Sequence, residues 1–195
     1  MARREEDRRN GLPQGCRRER SETSRAVRQT MRDKMKTRVF RPQDSTRVSA
    51  VMIAAFRTFL KKKFDRADRE HLAPSYWRDT ALFRNKFSET VSYVVEENGK
   101  VIGYIKAIAH RNGLGSLDVV GVDPSYFGKG VGHLLYRAAE SFWIRKKVRK
   151  VATCVSAHNK RALLYYIKNG FIPEGYQRDH FKVGVDEIIL GKFFR

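Results

Sequence analysis

The stretch from residue 116 to residue 143 changes from a strand pattern to a helix pattern across a glycine-rich turn. Ser116–Val122 is rich in β-branched residues and predicts a strand, which Asp123-Pro124 ends. Glycines then alternate at 128, 130 and 132, and apolar residues recur at steps of three and four: Val131, Leu134, Leu135, Ala138, Phe142 and Trp143. A strand that leads directly into an amphipathic helix favours a domain in which helices pack on a sheet.

The remaining patterns predict the order β-α-α-β-β-β-α-β-α-β-β, a mixed α/β domain with a single, mostly antiparallel central sheet flanked by helices. The clearest element is a hairpin whose two strands are joined by Asn98-Gly99, which suits a type I′ turn. Gly170 suits the left-handed cap at the end of a helix. The predicted strands are 37–41, 91–97, 100–110, 116–122, 151–155, 171–172 and 186–190, and the predicted helices are 48–60, 74–87, 128–143 and 159–169.

The first 34 residues differ from the rest and are expected to form a disordered basic tail. They contain eleven basic and six acidic residues, which is +5 of the net charge of +20, and no hydrophobic period. One interpretation is a basic arm for RNA, DNA or an acidic surface. The other is that translation starts at Met31 or Met35, so that the upstream residues have no evolved role. Residues 35–195 are predicted to form the folded domain, with a net charge of +15.

Composition excludes several classes of protein. A hydrophobic fraction of 41%, with 12 Phe and 8 Tyr, can fill a sizeable core and excludes a wholly disordered basic protein. No apolar run approaches the roughly 20 residues that span a bilayer, and the charged N-terminus is unlike a signal peptide. Cys16 and Cys154 belong to no CxxC motif or Cys/His cluster. We therefore expect a soluble, cytoplasmic protein without a metal site or a membrane partner.

The glycine-rich turn is the best candidate for a ligand site. Glycines let the backbone approach a ligand closely, and the first N–H groups of a helix have no partner within the helix, so a phosphate or pyrophosphate suits this position. The spacing is neither that of a Walker A loop nor GxGxxG. On spacing alone, a merely tight connection between strand and helix remains an alternative.

Two stretches resemble the signatures of the GNAT N-acetyltransferases. Val-Asp-Pro followed by Gly-Lys-Gly-Val-Gly, ending at Gly132, is similar to the acetyl-CoA loop of that family. The pattern Asn159-x-x-Ala-x-x-x-Tyr166-x-x-x-Gly-Phe171 resembles its second signature. The two motifs stand in the order of the family, about 30 residues apart, with a helix and a strand between them. One residue departs from the pattern, because Phe127 stands where the family usually has Arg or Gln.

The resemblance implies that acetyl-CoA is the co-substrate and assigns roles to several residues. The backbone of Val120, Gly121 and Val122 is expected to pair with the pantetheine arm, and Gly121 has no side chain to block the thioester. Asn159 is expected to contact the cofactor arm. Tyr166 is expected to give a proton to the departing CoA thiolate, although a packing role is the alternative. The residues expected around the pyrophosphate are Gly128, Lys129, Gly130, Val131, Gly132 and His133.

Asp118 is the candidate on the acceptor side. Strict alternation along the strand would place it on the same face as Ser116, Val120 and Val122. Many relatives have an acidic residue at this point, so the resemblance implies a general base or an anchor for the substrate ammonium; a neighbouring salt bridge explains it almost as well. Cys154 is expected to be an inert core residue, which favours direct transfer in a ternary complex.

The acceptor is less well defined. The C-terminal stretch resembles GNAT enzymes that acetylate protein N-termini, in which an aromatic pair holds the peptide, and His180-Phe181 occupies a similar place. A strongly basic domain repels polycationic acceptors. Two hypotheses follow: an N-acetyltransferase acting on a protein N-terminus or a small amine, or a basic nucleic-acid- or ribosome-associated module with this fold and weak or no catalysis. Phe127 and the Arg-rich tail favour the second hypothesis.

Overall fold

The computed structural model describes residues 34–60 and 64–194, so residues 1–33 of the predicted disordered tail lie outside the described part. The described residues form eight strands and five α helices. The strands are β1 (Met35–Val39), β2 (Phe83–Arg84), β3 (Ser88–Glu97), β4 (Lys100–His110), β5 (Leu114–Val122), β6 (Lys150–Ser156), β7 (Ile172–Lys182) and β8 (Val185–Phe193). The helices are α1 (Ser45–Arg57), α2 (Arg66–Leu72), α3 (Pro74–Thr80), α4 (Val131–Arg145) and α5 (Lys160–Lys168).

All eight strands belong to one sheet, in which seven follow the order β1-β3-β4-β5-β6-β8-β7 and β2 pairs with β3. Every neighbouring pair is antiparallel except β5 and β6, which run parallel. The mixed, mostly antiparallel sheet predicted from sequence is thus confirmed. Asn98 and Gly99, with φ of 50° and 75°, provide the two left-handed residues that a type I′ turn requires between β3 and β4.

Two hydrophobic clusters cover the two faces of the sheet. Neighbouring residues on a strand point to opposite faces, and Tyr104 and Ile105 accordingly belong to different clusters. Helix α4 packs on one face through Leu135 and Trp143, and the Trp143 indole donates a 3.0 Å hydrogen bond to the carbonyl of Ile108. The opposite cluster joins Tyr104 to residues of α1, α2 and α3: Val48, Met52, Leu72 and Trp77. We call these the α4 face and the α1 face.

The region between α1 and β3 departs from the sequence prediction. The helix predicted over 74–87 ends at Thr80, and β2 follows it. The side chain of Asn85 then accepts hydrogen bonds from the N–H groups of Phe87 and Ser88 and turns the chain into β3. Helix α2 was not predicted, since only seven residues form it and they lack a strong apolar period. Asp65 and Asp68 begin it with a reciprocal capping box.

The last hairpin is also longer than predicted. The sequence pattern indicated strands at 171–172 and 186–190, whereas β7 continues through Lys182 and β8 extends to Phe193. Irregularities in the β7–β8 register occur between Pro173 and Gly175 and between Gln177 and Lys182. They interrupt the alternation of polar and apolar residues, which is why the pattern did not reveal the strand. Among the described residues, no helix is both long enough and apolar enough to cross a lipid bilayer.

Candidate active site

Strands β5 and β6 part in the middle of the sheet. They pair at only three positions, and the last pair is Ser116 with Ala152. Where they part, the Thr153 hydroxyl donates a 2.9 Å hydrogen bond to the carbonyl of Leu117. Further along β5, Val120, Gly121 and Val122 pair with β4 on one side only. Their backbone groups that point towards β6 have no strand partner in the described part of the chain, and they can therefore pair with a bound ligand.

Gly121 is required by packing as well as by any ligand. A Cβ atom at this position would overlap the sulfur of Met52 and lie 3.5 Å from the Cβ of Ala55. Both contacts come from α1, on the α1 face of the sheet. The sequence prediction explained Gly121 by the space that a thioester needs, and the structure shows that the space above its Cα is filled by α1. The backbone role of Gly121 remains a prediction.

The glycine-rich turn forms the start of α4. Gly128 and Gly130 have φ of 77° and 92°, which side chains rarely permit, and Gly130 is the residue that precedes the helix. The first bond within the helix runs from the N–H of Leu134 to the carbonyl of Gly130. The N–H groups of Val131, Gly132 and His133 thus precede the helical ladder and are available to an anion at the positive end of the helix dipole.

An arginine from another helix lies beside this turn. The guanidinium carbon of Arg161, on α5, lies 4.1 Å from the centroid of the Phe127 ring, which is a cation–π contact. Lys129 lies over the Tyr126 ring at 4.8 Å. The sequence analysis noted the missing polar side chain at Phe127 and overlooked Arg161. The signal was present, since Arg161 lies two residues after Asn159 in the second motif, but sequence does not show that α5 meets the turn.

Asn159 starts α5. Its side-chain oxygen accepts a 3.1 Å hydrogen bond from the N–H of Ala162, which is the usual arrangement of an N-cap. Asn159 also lines a cavity of about 640 Å³ that lies between the end of α1, the β6–α5 loop and the β7–β8 turn. The cavity wall is strongly basic, and its charged members include Arg57, Lys160, Arg161 and Lys182, with Asp68 as its carboxylate.

Tyr166 is buried on the α4 face, where its side chain packs against Phe171. Burial raises the pKa of its phenol to about 12, opposed by a hydrogen bond with Thr153 and reinforced by Cys154. The phenol therefore stays protonated at neutral pH. It lies beside Thr153, which marks the point where β5 and β6 part. Tyr165 packs against the same core, and its hydroxyl donates a 2.9 Å hydrogen bond to the carbonyl of Gly132.

Asp118 lies on the opposite face of the sheet from the one that strict alternation predicted. The β4–β5 register shifts so that Lys106 pairs with Val119 and Ala107 pairs with Leu117, and Asp118 is the extra residue of a β-bulge. Val120 and Val122 pack on the α4 face, whereas the Asp118 carboxylate forms a 2.8 Å ion pair with Lys106. The ammonium of Lys106 is buried beside Tyr76 and Thr80 of α3, so Asp118 lies on the α1 face.

A second cluster occupies the α1 face of the strands next to Asp118. Nδ1 of His180 lies 2.6 Å from Oε2 of Glu187. The Cys154 sulfur, a ring nitrogen of His180 and a carboxylate oxygen of Glu187 all lie within 4.8 Å of one another. Cys154 is exposed, which corrects its assignment to the core. Desolvation and the neighbouring Glu187 nevertheless raise the pKa of its thiol to about 12, so that it is no thiolate at neutral pH.

The Cys154 cluster has the residue types that zinc prefers, but in this structure its groups bind one another. A direct 2.6 Å hydrogen bond joins His180 to Glu187, and the carboxylate of Glu187 is buried behind it. Phe181, the other predicted acceptor residue, is 70% exposed. Lys182 then joins β7 to α2 through ion pairs with Asp65 and Asp68.

Comparison with known proteins identifies the family. A profile of the acetyltransferase (GNAT) family matches residues 53–171, which is more than half of the chain. The chain belongs to the GNAT acetyltransferase family. The match includes β5, the turn, α4, β6 and α5, and therefore both sequence motifs and the point where the strands part.

Curated relatives match a smaller part of the chain. A mycothiol acetyltransferase of Amycolatopsis mediterranei is 32% identical over 93 residues, which are 44% of this chain and 31% of that protein. The spore coat polysaccharide biosynthesis protein SpsD of Bacillus subtilis is 35% identical over 85 residues, 43% of this chain and 29% of that protein. The chain therefore spans about a third of each of these relatives.

Solved structures share the fold of this GNAT protein. The PaiA N-acetyltransferase of Thermoplasma acidophilum, in complex with coenzyme A, has a TM-score of 0.65 at 18% identity, over 82% of this chain and 99% of its own. The ribosomal-protein-S18-alanine N-acetyltransferase of Escherichia coli has a TM-score of 0.63 at 15% identity, over 82% of this chain and 93% of its own.

Proposed function

We propose that residues 35–195 transfer the acetyl group of acetyl-CoA to a primary amine by direct attack in a ternary complex. The observation that carries this proposal is the parting of β5 and β6 directly before the glycine-rich start of α4. This arrangement offers free strand groups to the amides of a pantetheine arm and helix N–H groups to a pyrophosphate, one after the other along the chain.

The cofactor site is built from three groups of residues. Val120, Gly121 and Val122 offer backbone hydrogen bonds to the pantetheine arm, and Asn159 lies at the wall of the adjoining cavity. Arg161 supplies positive charge to the phosphates. This contribution offsets the absence of the arginine or glutamine that the family usually has at the position of Phe127. The turn residues proposed to surround the pyrophosphate are Gly128, Lys129, Gly130, Val131, Gly132 and His133.

We assign to Tyr166 the protonation of the departing CoA thiolate. A phenol with a raised pKa keeps its proton at neutral pH, and a thiolate is a good enough leaving group to need only a weak acid nearby. The exposed Cys154 plays no covalent part in this proposal, because its thiol is also protonated at neutral pH. The acetyl group therefore passes to the amine in a single transfer.

On the acceptor side, we propose that Asp118 anchors the substrate ammonium and that His180 and Phe181 contact the acceptor. The carboxylate of Asp118 is 39% exposed, and Lys106 already occupies Oδ2, which favours anchoring over proton transfer. A protein N-terminus or a small amine fits an open, basic site better than a polycation does. The E. coli structure named above is that of an enzyme for a ribosomal protein, which supports the protein N-terminus as one class to test.

Two observations, Phe127 and the Arg-rich tail, favoured the alternative of a basic nucleic-acid- or ribosome-associated module, and the first of them no longer does. Phe127 had suggested a weakened cofactor site, and Arg161 restores a cation at that position. The other support, the Arg-rich tail, lies outside the described residues, so its binding to nucleic acid remains a prediction, as does a cytoplasmic location.

A coupled assay for CoA release tests the proposed function. Full-length protein is incubated with acetyl-CoA and with small amines, amino acids and peptides that begin with alanine, while a thiol reagent reports free CoA. We expect release that depends on an amine and that Tyr166→Phe strongly reduces. Binding of acetyl-CoA without release by any class of amine would support the non-catalytic alternative.

A further inference from the structure

The proposed mechanism lacks a group that takes the proton from the amine. An aliphatic amine is mostly protonated near neutral pH and must lose a proton before it can attack a thioester. Asp118 is engaged by Lys106 at 2.8 Å, and the thiol of Cys154 carries its own proton. Two further proton acceptors lie beside these groups in the described part of the chain. The carboxylate of Glu187 is buried and engaged by Nδ1 of His180, whereas the imidazole of His180 has a second ring nitrogen.

His180 and Glu187 have the geometry of a base and its orienting group. Nδ1 of His180 lies 2.6 Å from Oε2 of Glu187, whose carboxylate is 11% exposed, while the imidazole is 48% exposed. When Nδ1 donates to the carboxylate, Nε2 carries the lone pair and is the nitrogen left for a substrate. Such a pair holds the ring in one tautomer and stabilises the imidazolium that forms on proton uptake.

The position of the pair relative to Tyr166 fits its use in acetyl transfer. Tyr166 approaches Thr153 from the α4 face, and Cys154 follows Thr153 on β6 and therefore points to the opposite face. His180 and Glu187 lie within 4.8 Å of Cys154, and Asp118 is close enough to affect the thiol. Tyr166 and the His180–Glu187 pair thus lie on opposite faces of the sheet, and both reach the point at which β5 and β6 separate.

We propose that Nε2 of His180, oriented by Glu187, accepts the proton of the acceptor amine; this inference rests on the proposed function. One proton passes from the ammonium to His180 and then to solvent. The amine nitrogen forms the N–C bond with the carbonyl carbon, and the C–S bond breaks. Tyr166 gives its proton to the sulfur, and the second proton of the attacking nitrogen restores the phenol. The products are the acetylated amine, CoA and one released proton.

Two small nucleophiles separate proton removal from the other steps. Near neutral pH butylamine is almost wholly protonated, whereas hydroxylamine is already neutral. We expect His180→Asn to lower kcat/KM for butylamine about a hundredfold or more and to change kcat/KM for hydroxylamine by less than about threefold. Glu187→Gln keeps an acceptor for Nδ1 but removes the charge, so we expect a loss of about tenfold with butylamine alone.

Matched variants and cofactor binding control for damage to the hairpin. His110→Asn changes a histidine at the far end of β4, where it pairs with Ser88, and Glu174→Gln changes a β7 carboxylate that pairs with Lys150; neither should alter the ratio of the two rates. The affinity for acetyl-CoA should stay unchanged in His180→Asn. Equal losses with both nucleophiles, or no loss with either, would overturn the assignment of His180. Absence of CoA release with both nucleophiles, and with the amino acids and peptides of the first assay, in the wild-type protein would instead contradict the proposed function, and this inference with it.

Discussion

Arg161 lies over Phe127, with its guanidinium carbon 4.1 Å from the ring centroid. The two residues belong to different motifs, since Phe127 precedes the glycine-rich turn and Arg161 lies in the first turn of α5. The aromatic ring holds the guanidinium beside the turn, where the N–H groups of α4 begin. The cation therefore comes from the neighbouring helix, at the position where the family usually places it in the turn itself.

Arg161→Ala should weaken CoA binding. A charge-assisted hydrogen bond to a phosphate contributes about 1.5–3 kcal/mol, so we expect the Kd measured by calorimetry to rise about tenfold or more. Lys168→Ala removes a cation from the last turn of the same helix and should leave the Kd unchanged. Equal affinities for the wild-type protein and Arg161→Ala would show that Arg161 is not a phosphate ligand.

Tyr166→Phe should lower kcat about tenfold to a thousandfold and leave the Kd for acetyl-CoA nearly unchanged, because the phenol acts only when the thiolate departs. Since burial raises the pKa of Tyr166 to about 12, its proton is present throughout the neutral range, and loss of that proton should not limit the rate below about pH 10. Tyr176→Phe, at an exposed tyrosine of β7, is the control. An unchanged kcat would remove Tyr166 from the mechanism.

Acid quenching during turnover should trap no acetyl group on Cys154. The thiol, with a pKa of about 12, is a poor nucleophile at neutral pH, so the acetyl group should pass directly to the amine. Mass spectrometry of the intact protein, quenched with and without an amine, checks this expectation. An increase in mass of one acetyl group at Cys154 that disappears when the amine is added would show a covalent route instead.

Asp44→Asn should destabilise the protein most at neutral pH. Burial raises the pKa of Asp44, but hydrogen bonds from the Arg38 guanidinium and the Arg41 N–H outweigh it and leave this pKa below its ordinary value. The resulting stabilisation is present above the unfolded pKa of about 4 and disappears as the pH falls through the lower, folded value.

The free energy of unfolding, measured with urea, should therefore fall by about 3 kcal/mol near neutral pH in Asp44→Asn. The difference from the wild-type protein should shrink towards about pH 2, as first the unfolded and then the folded carboxylate takes up a proton. Asp79→Asn, at an exposed aspartate that pairs with Arg78, should have little effect at either pH. A loss in Asp44→Asn that is the same at both pH values would contradict the ionic role of Asp44.

Local sequence patterns predicted much of the fold because each depends on neighbouring residues. The turn at Asn98-Gly99 and the left-handed glycines before α4 follow from the conformations that those residues allow. The helix stripe that includes Leu135 and Trp143 follows from the period of α4. These features, together with the two motifs, were sufficient to predict one mixed sheet and a glycine-rich turn at the start of α4.

Contacts between distant segments were not predictable from such patterns. The bulge that moves Asp118 to the α1 face depends on its pairing with β4, which alternation along β5 cannot show. The hydrogen bond between His180 and Glu187 requires the irregular register of β7 and β8. Likewise, Lys182 is 114 residues from its partner Asp68, so their ion pair emerges only in the folded chain.

Calorimetric titration of the full-length protein with acetyl-CoA measures whether the chain has the proposed cofactor site. We expect one acetyl-CoA to bind per chain with micromolar affinity, because we propose that the parted strands, the start of α4 and Arg161 form one site for it. The same titration with Arg161→Ala should give a weaker Kd. No heat of binding at millimolar acetyl-CoA would contradict the account, whatever the acceptor.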